Sequence, residues 1–421
     1  MTLKKPKNVG FISTRLAGND GVSLETEKWA DIFEKEGWIC YFMAGELDTT
    51  PDRSYLVDQA HFNHPEILQL QQQCFGVRYR RPSTTRLIHQ IKEKLKNHIY
   101  AFVNSCNIDL LVIENALAIP MNLPLGLALT EMISETGILT IAHHHDFFWE
   151  RQRFLTNAVW EYLNMAFPPH LPSIHHVVIN SAADNQLSLR TGISSTIIPN
   201  VMDFENPPEP PDDYASDVKE ALGIADDELL ILQPTRVVQR KGIEHAIELV
   251  HRLDLKARLV ISHCSGDEGN QYEKRVRNYA RLLGVNTLFV SDIFRDCRGA
   301  TPDGRKIYTL EDIYPFADLV TYPSTFEGFG NAFLETIYFQ KPIVVNSYSI
   351  YTVDIKPKGF KVIELNGYVT DEAIRQTRDI LKNPHKRQEM VQHNYRVAKC
   401  YYSYKTLRQK IKNLIIDCFG S

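Results

Sequence analysis

The sequence lacks paired cysteines and long apolar runs. Its seven cysteines are scattered, odd in number and contain no C-x-x-C. This excludes a disulfide framework and a cysteine-based zinc site, and it is typical of a reducing cytosol. No stretch approaches the ~20 apolar residues that span a bilayer, and the apolar run over 9–12 is too short for a signal peptide. We therefore expect a cytoplasmic protein without a transmembrane segment.

An excess of basic charge is also absent. The formal net charge is -4 and the sequence pI is about 6.4, so the chain lacks the overall charge of a nucleic-acid-binding protein. What is present is an ordinary globular composition, with 43% hydrophobic and 23% charged residues over 421 positions. A chain of this length usually forms about two domains. The sequence leaves the oligomeric state open.

Short apolar strands alternate with helical segments in two series. The predicted strands are 8–13, 38–43, 110–113, 139–142, 176–179 and 196–198 in the first half, and 229–233, 258–261, 287–290, 318–321 and 343–345 in the second. Such alternation implies parallel sheets with helices on both faces. A proline-rich linker over 199–213 separates the series. We predict an α/β fold with two Rossmann-like, doubly wound domains over 1–203 and 204–393, and a helical tail over 394–421.

Ligands of doubly wound sheets bind outside the carboxyl ends of the strands, and the unusual motifs lie there. The first is the loop Gly18-Asn19-Asp20-Gly21, which precedes a helix predicted over 24–35 with Ser23 as its cap. The glycines would let backbone N–H groups approach a phosphate or a sugar, although the same residues are common in ordinary turns. Within this loop, Gly21 is the candidate binding residue.

The most informative stretch is 321–336, T-Y-P-S-T-F-E-G-F-G-N-A-F-L-E-T. A strand end leads into a loop with two glycines, and a helix is predicted to begin near Asn331. The glycines let the backbone approach a ligand, and the helix N-terminus offers N–H groups to an anion. Glu327 and Glu335 can accept hydrogen bonds from hydroxyl groups near the anion and further along the ligand. The pattern suits a sugar joined to a nucleotide by a diphosphate, although acids at such positions are usually solvated.

Two basic residues follow strand 229–233, in the loop P-T-R-V-V-Q-R-K-G. Arg236 and Lys241 can neutralise a diphosphate, including the charge that develops as it leaves. The alternative is a solvated basic turn. Arg240 is interpreted as the solvated member of the loop.

The triplet His143-His144-His145, followed by Asp146, comes directly after strand 139–142. A metal site is one interpretation, since H-x-H plus an acid supplies ligands on one side. It is the less favoured one, because adjacent residues point apart and no second cluster is evident. A structural histidine is the second interpretation, and contact with a ligand is the third. The aromatic residues 147–149 suit either an acceptor wall or core packing.

These motifs resemble a known family. P-S-x-x-E-G-F-G-x-x-x-x-E, over 323–335, is similar to the E-x7-E signature of the retaining glycosyltransferases of family 4 (GT4), which have the GT-B fold, and 341–345 continues that pattern. R-x4-K-G at Arg236 is similar to the family's diphosphate-binding motif. Residues 198–203 resemble its interdomain turn without the usual glycine. The expected G-x-G after strand 258–261 is replaced by S-H-C-S-G over 262–266.

The resemblance implies a hexosyltransferase that moves a hexose from a UDP- or GDP-sugar to an acceptor hydroxyl with retention of configuration. It implies that a cleft between the domains binds the donor, that the C-terminal helix packs back on the first domain, and that no metal or other cofactor is required. A small polar acceptor is expected. The alternatives are an epimerase or phosphorylase on the same fold, or a non-catalytic nucleotide-sugar binding protein.

The resemblance also assigns roles to individual residues. The catalytic set is His145, Glu327, Arg236 and Lys241. The donor-binding set is Gly21, Gly328, Phe329, Gly330, Asn331, Glu335 and Ile293, with Glu335 on the ribose hydroxyls and Ile293 near the base. Of the triplet, His145 with Asp146 fits the family's strand end best. His144 is the alternate register, or with Asp146 a candidate acceptor contact.

Overall fold

The computed structural model describes residues 7–18, 20–264, 269 and 271–419. The contacts divide the chain into two compact units, with one boundary between Asn200 and Val201 and a second between Thr406 and Leu407. The last segment, from Leu407, belongs to the first unit. Within it, Arg408 forms an ion pair with Glu36, and Lys410 Nζ donates to the Ile197 carbonyl at 2.9 Å.

The first unit contains a seven-stranded parallel sheet in the order β3-β2-β1-β4-β5-β6-β7. Its elements are β1 (Asn8–Ile12), α1 (Gly21–Lys35), β2 (Ile39–Ala44), β3 (Ser54–Leu56), α2 (Pro65–Cys74), α3 (Pro82–Ser105), β4 (Leu110–Glu114), α4 (Leu123–Thr136), β5 (Thr140–His144), α5 (Gln152–Leu155), α6 (Trp160–Ala166), β6 (Ile174–Val178), α7 (Ser181–Thr191) and β7 (Ser195–Ile197). The central strand β4 is buried over its whole length, as expected for a strand covered on both faces.

The second unit contains a six-stranded parallel sheet in the order β10-β9-β8-β13-β14-β15, and a separate two-stranded pair, β11-β12. Its elements are α8 (Val218–Ala221), β8 (Leu229–Gln233), α9 (Ile243–Leu253), β9 (Ala257–Ile261), α10 (Gln271–Leu282), β10 (Thr287–Phe289), β11 (Gly299–Ala300), β12 (Lys306–Ile307), α11 (Leu310–Ile313), β13 (Leu319–Tyr322), α12 (Asn331–Tyr338), β14 (Ile343–Asn346), β15 (Ile363–Leu365), α13 (Asp371–Lys382) and α14 (Pro384–Tyr401). Helix α15 (Tyr404–Phe419) begins here and continues into the first unit.

The predicted fold class is confirmed: both sheets are parallel and alternate with helices along the chain. Two edge strands, β3 and β15, are missing from the prediction, because three residues are too few to produce an apolar run. The tail is two helices, α14 and α15, and the first of them begins ten residues before the predicted start at 394. Among the described residues, no helix is long and apolar enough to cross a membrane.

The start of α1 differs from the prediction. The helix begins at Gly21, and its cap is Asp20, whose side chain accepts from the N–H groups of Val22 at 3.0 Å and Ser23 at 3.4 Å. Ser23 lies inside the helix and donates its hydroxyl to Asp20 at 2.7 Å. Asp20 and Ser23 both belong to residue types that favour the capping position. In the structure Asp20 takes this position, and the helix begins three residues earlier than predicted.

Candidate functional site

The loop between β13 and α12 adopts the predicted strand-loop-helix arrangement in the second unit. Helix α12 begins at Asn331, where the sequence places it. Its cap is Gly330, with a φ of 125°, a value that residues other than glycine rarely adopt. A Cβ at this position would lie 2.5 Å from the Tyr348 hydroxyl. Only glycine therefore fits at this helix start.

The carboxylate of Glu327 is buried and paired with two cations from the loop after β8. Arg240 donates to Glu327 Oε2 at 3.0 Å, and Lys241 Nζ forms a short ion pair with Oε1. Glu327 is 7% exposed and Lys241 is 9% exposed. Buried charges of this kind persist only when they are paired. The structure thus joins the acid of one motif directly to the bases of the other.

Burial and the pairing of Glu327 with Lys241 shift the pKa values of the groups at this contact. Burial alone would raise the pKa of Glu327, but the nearby charges of Lys241 and Arg240 hold it below its ordinary value. Burial lowers the pKa of Lys241, and the Glu327 charge opposes this only in part. Burial and the Glu327 charge raise the pKa of Tyr322 well above its ordinary value, which keeps this phenol neutral. The Lys241 ammonium lies 5.7 Å from the centre of its ring.

The glycine after Lys241 explains how the two loops come together. Gly242 has a φ of 59°, and a Cβ there would lie 2.5 Å from the Pro323 carbonyl oxygen. The Thr325 N–H also donates to the Arg240 carbonyl at 2.8 Å. The K-G step of the basic loop therefore packs against the Pro-Ser turn through backbone atoms, which no larger residue at Gly242 would allow.

Arg236 and Arg240 exchange the environments that the sequence suggested. Arg240 is not the solvated member, because its guanidinium is held by Glu327 and by the Phe326 carbonyl at 3.3 Å. Arg236 is exposed and has no ion-pair partner in the described part of the chain. The sequence could not show this, since the two arginines are four residues apart in one loop.

His263 is a further residue at this edge, and the sequence reasoning did not select it. It is the second residue after β9, and the hydroxyl of Ser262 lies 2.8 Å from its Nδ1. Burial lowers its pKa, and the charges of Lys241 and Arg236 act in the same direction, against that of Asp296. A histidine at the carboxyl end of a predicted strand was the available signal. The rest of the altered G-x-G segment, 265–266, lies outside the described residues.

The remaining donor-site candidates of this unit occupy different environments. Glu335 lies in α12 and accepts from the Tyr314 hydroxyl at 3.1 Å. Phe329 is buried and packs edge-on against Tyr402, while Gly328 is half-buried. The N–H of Ile293 donates to the Val290 carbonyl at 3.0 Å, and the carbonyl of Ile293 accepts from the Tyr308 N–H at 2.8 Å. The backbone of Ile293 is thus already hydrogen-bonded within the protein.

In the first unit, the histidine triplet divides between the two sides of β5. His143 Nδ1 lies 2.9 Å and His145 Nε2 lies 3.1 Å from the same oxygen, Glu114 Oε2. His144 points the other way, and its Nε2 lies 2.9 Å from His176 Nδ1. This is the alternation expected of a strand. His144 is buried at 1% exposure, which favours the structural interpretation for that residue.

Glu114 is the residue that the sequence reasoning missed. It ends β4, pairs in register with His143 on β5, and is fully buried. Burial would raise its pKa, but the two histidines lower it to about 2. Burial would lower the pKa of His145, but the Glu114 carboxylate raises it. The available signal was a charged residue at the end of an otherwise apolar strand.

Asp146 lies outside this cluster. It forms an ion pair with Arg151 and accepts from the Asn115 side-chain amide at 3.0 Å. Phe147 and Phe148 are buried in the core of the unit, so the structure favours core packing over an acceptor wall for both rings. Metal-ligand atoms within 4.8 Å of one another are offered instead by Glu114, His143 and His145.

Gly21 is the first residue of α1 and is exposed. The two N–H groups that follow it are occupied by the Asp20 side chain. The Gly18 N–H donates to Asp48 at 2.6 Å. Several of the N–H groups that the loop could offer to a ligand therefore already have partners, while Asn19 lies outside the described residues.

Comparisons with known proteins agree with these motifs. The family described as "Glycosyl transferases group 1" matches residues 216–397, which lie in the second unit. The mannosylglucosylglycerate synthase of Thermotoga maritima is 31% identical over 430 residues, covering 94% of this chain and 97% of that protein. The similarity to that enzyme therefore extends over both units.

Solved structures share the fold across nearly the whole chain. Sucrose-phosphate synthase from Thermosynechococcus elongatus matches with a TM-score of 0.68 at 14% identity, over 98% of this chain and 99% of that one. Anabaena HepE, solved in complex with UDP-glucose, matches with a TM-score of 0.64 at 14% identity, over 97% and 99%. The resemblance stated from the motifs, and the fold it implied, are confirmed.

Proposed function

Because the chain belongs to the group 1 glycosyltransferases, we propose that it moves a hexosyl group from a nucleoside-diphosphate sugar to an acceptor hydroxyl with retention of configuration. The observation that carries this proposal is the buried contact between Glu327 and the cations of the basic loop, beside the glycine-capped start of α12. Such a site combines a carboxylate for sugar hydroxyls, fixed cations for phosphates and a helix N-terminus for an anion. Those are the three chemical parts of the donor.

The cations of the basic loop bind the diphosphate in this proposal. Arg236 is exposed and has no carboxylate partner among the described residues, so its guanidinium is available to a phosphate. Lys241 uses one of its three N–H groups on Glu327 and has others to donate. As the bond from sugar to phosphate breaks, negative charge develops on the diphosphate, and fixed positive charge stabilises it. Protein cations would thus do the work of a metal ion, so none is required for transfer.

Glu327 and the backbone of 328–331 hold the sugar and the distal phosphate, and Glu335 binds the ribose hydroxyls. Glu327 is ionised, because Lys241 and Arg240 hold its pKa low, and an ionised carboxylate accepts strong hydrogen bonds from hydroxyl groups. His145 orients the sugar near its anomeric carbon. Ile293 lies beside the base.

The name of the Thermotoga relative suggests the substrates. Its product contains a mannosyl group, a glucosyl group and glycerate. We propose that this chain uses a mannosyl donor, with guanosine or uridine as the base, and a small polar acceptor of the glucosylglycerate class. We also place the reaction in the cytoplasm, since the six described cysteines whose side chains are defined are free and free thiols are typical of reducing compartments.

The test is a transfer assay with GDP-mannose, UDP-mannose and UDP-glucose as donors, and with glucosylglycerate and glycerate as acceptors. We expect one donor to give a product whose anomeric configuration, read by NMR, matches that of the donor. Lys241→Ala should lower kcat/KM about 100-fold or more, since one charge-stabilising group is lost. Lys274→Ala is the matched control, because Lys274 is an exposed lysine on α10.

Two results would contradict the proposal. An inverted product would reject retention, and transfer unaffected in Lys241→Ala would reject the assigned site. Slow donor hydrolysis without acceptor distinguishes a transferase from a non-catalytic binder, which shows none.

A further inference from the structure

Glu114, His143 and His145 bring three potential metal ligands together in the first unit. Their ligand atoms all lie within 4.8 Å of one another. The carboxylate oxygen is 2.9 Å and 3.1 Å from the two imidazole nitrogens. A tetrahedral ion with bonds of about 2.0–2.2 Å holds its ligand atoms roughly 3.4 Å apart. The carboxylate oxygen therefore needs to move only a few tenths of an ångström from each ring nitrogen, and the two rings, which now hydrogen-bond to that oxygen, would turn toward the ion instead.

The backbone holds this arrangement in place. Glu114 and His143 are register partners on adjacent parallel strands, so their side chains lie on the same face of the sheet. His145 follows two residues later and returns to that face. The His143 ring stacks on Trp29 with centroids 4.5 Å apart, and the backbone N–H of His145 donates to Asn115 Oδ1 at 3.1 Å. The ligand set is therefore preorganised, which favours metal binding.

Two buried polar atoms of the cluster have no hydrogen-bond partner among the described residues. They are Glu114 Oε1 and His143 Nε2. A buried oxygen left without a partner is costly, and a carboxylate that binds an ion can use both of its oxygens. His145 is the exposed edge of the cluster, with a side chain that is 10% exposed. An ion could reach the site past this ring.

We propose that Glu114, His143 and His145 form a binding site for one divalent transition-metal ion of the zinc class. Two imidazoles and one carboxylate are the ligand set that zinc prefers, whereas magnesium and calcium prefer oxygen ligands. The acid of this H-x-H site is Glu114 from the neighbouring strand, and not Asp146, which follows the triplet in the sequence. Water or another small ligand completes the coordination.

The consequence for catalysis rests on the proposed function. His145 is assigned to the sugar, and a bound dication would fix that ring and place positive charge beside it. Breaking the sugar–phosphate bond leaves positive charge on the sugar, which a nearby cation disfavours. The ion would therefore act as an inhibitor and is not needed for transfer.

The test measures metal binding directly, on the full chain after treatment with a chelator. Titration calorimetry with zinc chloride, and metal analysis after dialysis, should give one ion per chain. Cobalt should give the absorption bands of a tetrahedral site. Glu114→Gln and His145→Gln, which keep a polar side chain at each position, should each weaken zinc binding more than about 100-fold, because a direct ligand is worth more than an outer-shell partner. His175→Gln, a half-buried histidine of β6, is the control and should bind as the wild type does.

Thermal melting of each variant tests whether it is folded, which separates a loss of binding from unfolding. The proposal is overturned if neither zinc nor cobalt binds saturably, or if both variants bind zinc as tightly as the wild type. These readouts require no donor, so they stand apart from the transfer assay. Zinc binding without inhibition would support the site and reject the contact of His145 with the sugar.

Discussion

Gly330 shows how one residue determines the shape of the candidate donor site. It caps α12 with a φ of 125°, and a Cβ there would lie 2.5 Å from the Tyr348 hydroxyl and 3.2 Å from the Tyr322 hydroxyl. Tyr348 donates to the Phe329 carbonyl at 2.8 Å, which holds its hydroxyl close to this position. The sequence motif required a glycine for backbone approach to a ligand, and the structure adds a second reason within the protein itself.

Gly330→Ala should lower the free energy of unfolding by about 2–3 kcal/mol, because strained backbone and a close contact are introduced together. Urea unfolding measures this cost. In the double variant Gly330→Ala/Tyr348→Phe the contacting hydroxyl is absent. The double variant should therefore lose less unfolding free energy than the sum of the losses in the two single variants. If the losses of unfolding free energy in the two single variants add up to that of the double variant, the contact with Tyr348 does not cause the destabilisation.

Lys341 should make stability depend on pH in the alkaline range. Burial lowers its pKa from 10.5 to about 8, against the charge of Asp318, and its Nζ donates to the Pro315 carbonyl at 2.6 Å. Between these two pH values the unfolded chain holds a proton that the folded chain has lost. The free energy of unfolding contributed by this group therefore rises as pH increases from about 8 to 10.5.

Urea unfolding of the wild type and Lys341→Met across that interval measures the effect. The difference in unfolding free energy, wild type minus variant, should increase with pH. Lys274→Met, at an exposed lysine, should show a constant difference. A constant difference for Lys341→Met as well would mean that the buried amine keeps its ordinary pKa.

At this scale the sequence predicted some residues and not others, for physical reasons. Glu327 and Lys241 were selected because their motifs place a carboxylate and a cation at strand ends. Glu114 and His263 were not, because one polar residue at a strand end is a weak signal until the residues beside it, which are far away in the chain, are known. The roles of Arg236 and Arg240 depend on which one reaches Glu327, and spacing along one loop does not contain that information.

Among the secondary-structure elements, α1 begins where the side chain of Asp20 caps it. Asp20→Ala should cost about 1 kcal/mol, because two backbone N–H groups lose their acceptor. Asp20→Asn keeps an oxygen in the same place and should cost less. Urea unfolding compares them. Equal costs for the two variants would instead assign the stabilisation to the ion pair between Asp20 and Arg15, whose atoms lie 2.9 Å apart.

Element types were more predictable than element boundaries. The buried strands β1, β4, β8, β13 and β14 carry apolar runs and were predicted within one or two residues. The start of α12 was predicted because a glycine-rich loop precedes it. The edge strands β3 and β15 were not predicted, since their pairing comes from a neighbouring strand and not from their own three residues.

On the scale of the whole molecule, alternation along the chain was enough to predict two doubly wound parallel sheets. The division by contacts falls at Asn200 and again at Thr406, where the prediction had 203 and 393. The second boundary lies inside the last helical segment, and helical periodicity continues across it without a change. The basic loop and the 323–335 motif lie in the second unit, and the histidine cluster lies in the first.

The most direct measurement is calorimetric titration of the wild type, Arg236→Ala, Lys241→Ala and Lys274→Ala with UDP-, GDP- and ADP-sugars. We predict that sugars of one base bind the wild type. The first two variants should bind about 10- to 100-fold more weakly, as expected when a hydrogen bond to a charged phosphate is lost, and Lys274→Ala should bind normally. If no nucleotide sugar binds, or if Lys241→Ala binds as tightly as the wild type, the donor site proposed here is wrong.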